Sequence, residues 1–259
     1  MPGSHPPWMF FALLFVLSVP FQLAGAFADC ELMPGLPLAA LIFICPAAAA
    51  LILVYRASGR VGVRHLLCRA LDGGRIANKL WYVPAVLLVP SAFLLSYAMQ
   101  AWRGTALPVT QFDPGLIAGL CATFLVSALV EELGWSGYAI DPLRARWGAL
   151  WASVMLGLIW AVFHLVALTQ AHRSLPWIGW WTVGTVALRV IISWIYFNTG
   201  RSVFAASVVH ATYNVAWQLY PVRGSHFDPQ LTGLVLCAVA TVAVLSCDAR
   251  TLSKRSVEG

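Results

Sequence analysis

Charge is scarce in this chain. Only ten acidic and sixteen basic side chains occur in 259 residues, 10% charged against 60% hydrophobic. Soluble domains carry about 25% charged residues, so an ordinary soluble protein is excluded, and the mean hydropathy of +0.79 says the same. Six cysteines are present, but no CxxC pair and no Cys/His ligand spacing, which removes the usual structural zinc patterns. Most of them sit in apolar runs, where cysteine acts as a small hydrophobe. There is no G-x-S-x-G elbow for a serine nucleophile and no HExxH zinc helix. No basic-aromatic motif accompanies the net charge of +6, so nucleic acid is not an expected partner. Short alternating segments are missing, which excludes a β-barrel. With no internal repeat and no interdomain linker, residues 1–259 read as a single integral membrane domain.

What the chain does have is long apolar runs. Eight can be counted: Trp8–Ala28, Gly35–Tyr55, Leu80–Met99, Pro114–Gly137, Leu150–Leu168, Trp177–Phe197, Val203–Leu219 and Leu231–Cys247. About 20 apolar residues cross a bilayer. The expectation is an all-α polytopic transmembrane bundle of about eight helices. The first run lacks a basic n-region and is long for a signal peptide, so it reads as a retained helix. Pro20, Pro46, Pro84 and Pro90 are expected to bend their helices. Lys and Arg distribute twelve to three between the two sets of loops, with Arg189 left inside a span. The positive-inside bias then places both termini in the cytoplasm, and the expected location is a bacterial plasma membrane. The basic segment Arg56–Lys79 reads equally as an amphipathic stretch on an anionic leaflet or as a solvated loop.

The run Val130–Leu168 organises the rest. It sets Glu131 and Glu132 beside an apolar segment, turns through Pro142–Trp147 and re-enters an apolar run carrying His164. Ionisable groups at membrane depth are costly and mark function by default. Trp147 and Gly148 lie midway between Glu131 and His164, so an antiparallel helical hairpin puts each about 24 Å from the turn. The two side chains would face one another. Consecutive helix positions differ by about 100°, so the two glutamates cannot share a direction. Taken singly, each group has a plain explanation. Glutamates at an interface are solvated, and a lone helix histidine bonds a neighbouring carbonyl. His210 and Asn214 stand at i, i+4 in SVVHATYN and project from one face. His210 is about 13 Å into its helix, so the longer Glu131/His164 hairpin must project or tilt for all these groups to converge. Three runs thus carry complementary polar groups. A carboxylate with a histidine can activate water, and a second histidine with an amide can support an oxyanion. Those parts hydrolyse an amide without a covalent intermediate.

At these residues the chain resembles the CAAX-protease and bacteriocin-processing family of intramembrane endopeptidases, also called the Abi family. EELGWSGY at Glu131–Tyr138, continuing as PLRARWG, is similar to its first motif. LIWAVFH, ending at His164 with Trp160 in the aromatic place, is similar to its second. NTGRSVFAASVVHATYN, ending in His210 and Asn214, is similar to its third. The likeness covers about Val130 to Leu219, and residues 114–219 are the expected catalytic core. It implies that Glu131 with His164 activates water, that Glu132 assists, and that His210 and Asn214 stabilise the oxyanion. It also implies cleavage near the cytoplasmic membrane face, on a peptide or protein substrate that is lipidated or carries a leader. No cofactor is specified. A divalent metal is left open, with Glu131, His164 and His210 as its ligands if one binds. One departure stands out: Ser136 occupies the place of an arginine that would pair with a carboxylate. Arg189 is the candidate substitute, against a structural or snorkelling role. The alternative function is a non-catalytic scaffold or regulatory binding protein on the same fold, which Ser136 favours; a small-molecule transporter is the third.

Overall fold

A computed structural model describes residues 6–28, 31–33, 36–108 and 113–253. Among the described residues there are nine α-helices: α1 Pro7–Phe27, α2 Cys45–Cys68, α3 Tyr82–Trp102, α4 Pro114–Gly134, α5 Ile140–Trp147, α6 Ala149–Gln170, α7 Leu175–Asn198, α8 Val203–Leu219 and α9 Pro229–Leu245. Each of the eight apolar runs contains one long helix, and α5 is the short addition between the fourth and fifth. Six stretches are long and apolar enough to cross a bilayer, while α8 and α9 are 17 residues each. At 1.5 Å per residue those two span about 25 Å, close to a hydrocarbon core. The polytopic helical bundle is therefore the architecture. A two-stranded antiparallel ribbon, β1 Glu31–Met33 and β2 Leu36–Pro37, is the one β element among the described residues.

Prolines behave in two ways. Pro20 and Pro90 lie inside α1 and α3 as expected. Pro46 does not: it sits in the first turn of α2, where the missing N–H has no intrahelical partner to lose. Pro84 likewise falls in the first turn of α3. The second apolar run opens as a tight 3-10 turn, Leu38–Ile44, before α2 begins. Halfway along α2 the chain reverses at Gly59, whose φ of 59° suits a residue without Cβ. The reversal is tight enough that a Cβ on Gly62 would lie 2.9 Å from Val54.

The bundle core is set by α7 against α9 and α6, by α4 against α8 and α2, and by α3 against α8 and α9. The expected α4–α6 hairpin forms only near its turn. There α5 packs on α6, and Gly148, at φ 78°, reverses the chain. Below that point α4 leaves α6 and follows α8. The reason is the five-residue π turn Trp135–Ala139, where the Ile140 N–H reaches back to the Trp135 carbonyl. The wider turn rotates α5 relative to α4. Pro114–Trp147 is one 34-residue helical run, about 51 Å, longer than a hydrocarbon core. That length allows the projection or tilt that the depth of His210 asks for. The backbone of Ala249 and Arg250 caps the projecting turn through Leu150 N and Ala149 N.

Candidate active site

The site grows from the last turn of α4. Gly134 lets that turn approach the start of α2; a Cβ there would lie 2.4 Å from the Pro46 carbonyl oxygen. The π turn then sends two side chains back by one turn. Trp135 Nε1 donates to Glu131 Oε2 at 3.3 Å, and the Ser136 hydroxyl donates to Glu132 Oε2. Because neighbouring helix positions diverge, the two carboxylates part company here. Glu131 turns to a cavity and Glu132 turns into the protein.

Glu132 is fully buried. Its Oε2 accepts from Arg189 Nη1 at 2.9 Å, and its Oε1 stands 3.0 Å from His210 Nδ1. Arg189 is itself fully buried, with its guanidinium 4.2 Å above the Trp160 ring. Gly157 makes room for it, since a Cβ there would come within 3.1 Å of the Arg189 Cβ. Two charges without water cost several kcal/mol each unless paired, so this ion pair is mutually obligatory. Arg189 Nε and Nη2 have no hydrogen-bond partner among the described residues. The cation expected to stand in for the motif arginine is thus on Glu132, delivered from α7 instead of α4.

Glu131 lines a cavity of about 640 Å³ together with Trp160, His164, His210 and Asn214. Its Oε1 is 3.9 Å from His210 Nε2. His164 Nδ1 lies 2.9 Å from the Trp160 carbonyl. A carbonyl only accepts, so Nδ1 carries the hydrogen and Nε2 is left as an acceptor. The plain role of a helix histidine is therefore met through one nitrogen while the other stays available. Asn214 is half-buried, one turn beyond His210, and its amide has no protein partner among the described residues. All four cavity-facing candidates converge, and Glu132 stands behind them.

Among the described residues no three His, Cys, Asp or Glu side chains gather about one point that could hold a metal ion. The conditional set Glu131, His164 and His210 is not gathered as such a group, although Trp160 and Glu132 engage only the Nδ1 atoms and leave each Nε2 unbonded by them. The cavity is lined by Met33, Pro37, Ala122, Ala171, Arg173 and Trp217 beyond the polar groups. Those residues lie toward the β1–β2 ribbon and the 171–174 and 220–228 turns, the end away from the basic loops and from the outer ends of α1 and α9. The alternation of the helices puts these lining residues at the end of the bundle opposite the outer ends of α1 and α9.

Two residues of this framework carried no signal in the sequence. Arg69 donates from Nη1 to the Gly137 carbonyl at 2.6 Å, and from Nη2 to the Tyr196 hydroxyl at 2.6 Å and the Arg201 carbonyl at 3.1 Å. Asp72 accepts from Ser202 Oγ at 2.6 Å and from Val203 N and Phe204 N at 3.1 Å each. It caps the first turn of α8, the helix of His210 and Asn214, from 130 residues away in sequence. Both sit in a basic segment that looks like any solvated loop.

Comparison with known proteins agrees with the three motifs. Residues 113–216 match the family model described as Type II CAAX prenyl endopeptidase Rce1-like. All three motifs fall inside that segment. The chain is also 27% identical over 154 residues to CAAX prenyl protease 2 of Methanococcus maripaludis, covering 54% of this chain and 57% of that protein. The chain thus spans little more than half the length of that relative. The resemblance is to a family of membrane proteases, and the matched segment contains the polar side chains of the site.

Proposed function

We propose that this chain, like the Rce1-like proteases it resembles, is an intramembrane endopeptidase that hydrolyses a peptide bond with water activated by Glu131 and His164. The observation that carries this is convergence. Four polar groups from three helices line one apolar cavity, and an ion pair locks the fifth behind them.

The geometry suggests a division of labour. A water between Glu131 and His164 would give one hydrogen to Glu131 Oε1 and the other to His164 Nε2. Its free lone pair would then face the scissile carbonyl carbon. As the C–O bond forms, the proton passes to this acceptor pair. The negative charge moves onto the carbonyl oxygen, where the Asn214 amide and His210 Nε2–H donate to it. His210 can donate there only if both ring nitrogens hold hydrogen, since Nδ1–H is engaged with Glu132. That assigns Glu132 its task. It orients the imidazole and supports its charge, while Arg189 keeps Glu132 ionised. The proton held by Glu131 and His164 then goes to the leaving nitrogen, and the amide bond breaks to a carboxylate and an amine.

The substrate is a peptide or protein segment reached from the bilayer or from the cavity end of the bundle. A lipidated tail or a leader peptide suits the apolar walls. The non-catalytic alternative drew its support from Ser136, and Arg189 beside Glu132 weakens that support. The test is quantitative proteomics of membrane and secreted peptides from cells carrying the wild type or Glu131→Ala. Peptides whose new termini vanish in the variant are expected. Identical peptide sets, with both proteins equally expressed, would reject hydrolysis.

A further inference from the structure

The segment between α2 and α3 does two things that the proposed chemistry does not use. Its inner side, Arg69 and Asp72, braces the π turn and the start of α8. Its outer side is basic and apolar together. Arg56, Arg60, Arg64, Arg75 and Lys79 are all exposed. Among them stand Val61 at 66% exposure, Leu71 at 81% and Leu80 at 73%. The one acid from Arg56 to Leu80 is Asp72, and it is buried in the α8 cap. No carboxylate of this stretch therefore faces outward to offset five cations.

A solvated loop explains the charges but not the leucines. A bilayer span explains the leucines but not the charges. A surface that offers both at once fits the boundary of a leaflet, where apolar side chains enter the acyl region and guanidinium groups meet phosphate. The position agrees. The segment lies where α3 and α8 begin, at the basic end of the bundle, with Trp81 at the first turn of α3. Its inner hydrogen bonds tie this segment to the π turn and to the start of α8.

We propose that residues 56–80 form a binding surface for anionic phospholipid headgroups, mechanically joined to the catalytic helices through Arg69 and Asp72. Charge complementarity selects the ligand: several cations without an outward acid favour phosphatidylglycerol-like headgroups over zwitterionic ones. Each cation near such a surface contributes about five-fold in affinity at moderate salt, and less as salt is raised. This inference does not depend on the protein being a protease.

The test uses the full chain in nanodiscs of phosphatidylcholine alone or mixed with phosphatidylglycerol. Thermal unfolding is followed for wild type and for the triple variant Arg56→Gln, Arg60→Gln, Arg64→Gln, which touches no group of the proposed site. Phosphatidylglycerol is expected to raise the wild-type midpoint by several degrees and the variant's by much less, with the difference shrinking in high salt. A spin label on Leu71→Cys, with Cys68 and Cys121 changed to Ala, is expected to report headgroup depth. Equal midpoints in both lipids together with a fully aqueous label would overturn the proposal. If wild type and variant respond equally to phosphatidylglycerol, these arginines are not its ligands and the proposal also fails. Neither readout needs cleavage, so an inert enzyme would count against the proposed function and not against the lipid surface.

Discussion

Glu131 and Glu132 are chemically identical neighbours in one helical turn, and the protein treats them as opposites. Glu131 borders open space, bonds one indole N–H at 3.3 Å and keeps an oxygen free beside His210. Glu132 has no exposure and meets an arginine, a histidine and a serine. The difference follows from the 100° between consecutive helix positions and from where α7 places its arginine. One carboxylate borders the cavity; the other is held inside the protein by an arginine and a histidine. A water-activating base must change protonation during turnover, and a framework charge must not.

Substitutions can break this contrast, and the largest effects are expected on the framework side. Arg189→Met leaves Glu132 buried without its cation, which costs roughly 3–5 kcal/mol. A loss of folded protein, seen by unfolding in detergent, is the expected outcome. Adding Ser136→Arg to that variant returns a cation from α4 and is expected to recover much of the stability. A double variant as unstable as the single one would argue against Arg189 acting as the relocated partner.

Effects on turnover come next. His164→Ala removes the acceptor Nε2, and a decrease of about 10²–10⁴ in kcat is expected with little change in stability. Asn214→Ala removes one oxyanion donor and is expected to lower kcat by about 10²–10³ while KM changes little. Peptide cleavage followed by mass spectrometry checks both. A rise in KM alone for Asn214→Ala would move that amide from transition-state support to ground-state binding.

A smaller effect is expected at the cap. Asp72→Ala strips the first turn of α8 of three hydrogen bonds, and loss of a cap costs about 1–2 kcal/mol. Access can be sharpened in the same spirit. Single cysteines at Met33 and at Arg250, in a background without exposed cysteines, are expected to react with a membrane-impermeant reagent from opposite sides of sealed vesicles. Labelling from the same side would contradict the placement of the cavity away from the basic end.

How much of this was legible in the residues depends on the range of each interaction. The apolar runs announced the eight long helices because hydrophobicity is a local property. The i, i+4 spacing put His210 and Asn214 on one face for the same reason. The isolated Arg189 could be suspected because an unpaired cation inside a span is too costly to be idle. Arg69 and Asp72 could not, since their partners lie 68 to 132 residues away and their own surroundings read as a basic loop. The π turn also escaped, since nothing in WSGYA distinguishes a five-residue turn from an ordinary one. The end of the bundle that the cavity lining occupies followed from the helix order and not from any single residue.

The most direct measurement compares Glu131→Gln with Glu132→Gln in purified protein, reading cleavage of a peptide library and thermal unfolding on the same samples. The expectation is that Glu131→Gln unfolds like wild type and cuts nothing, whereas Glu132→Gln loses both cleavage and stability. Retained cleavage by Glu131→Gln would contradict its role as the base that activates water.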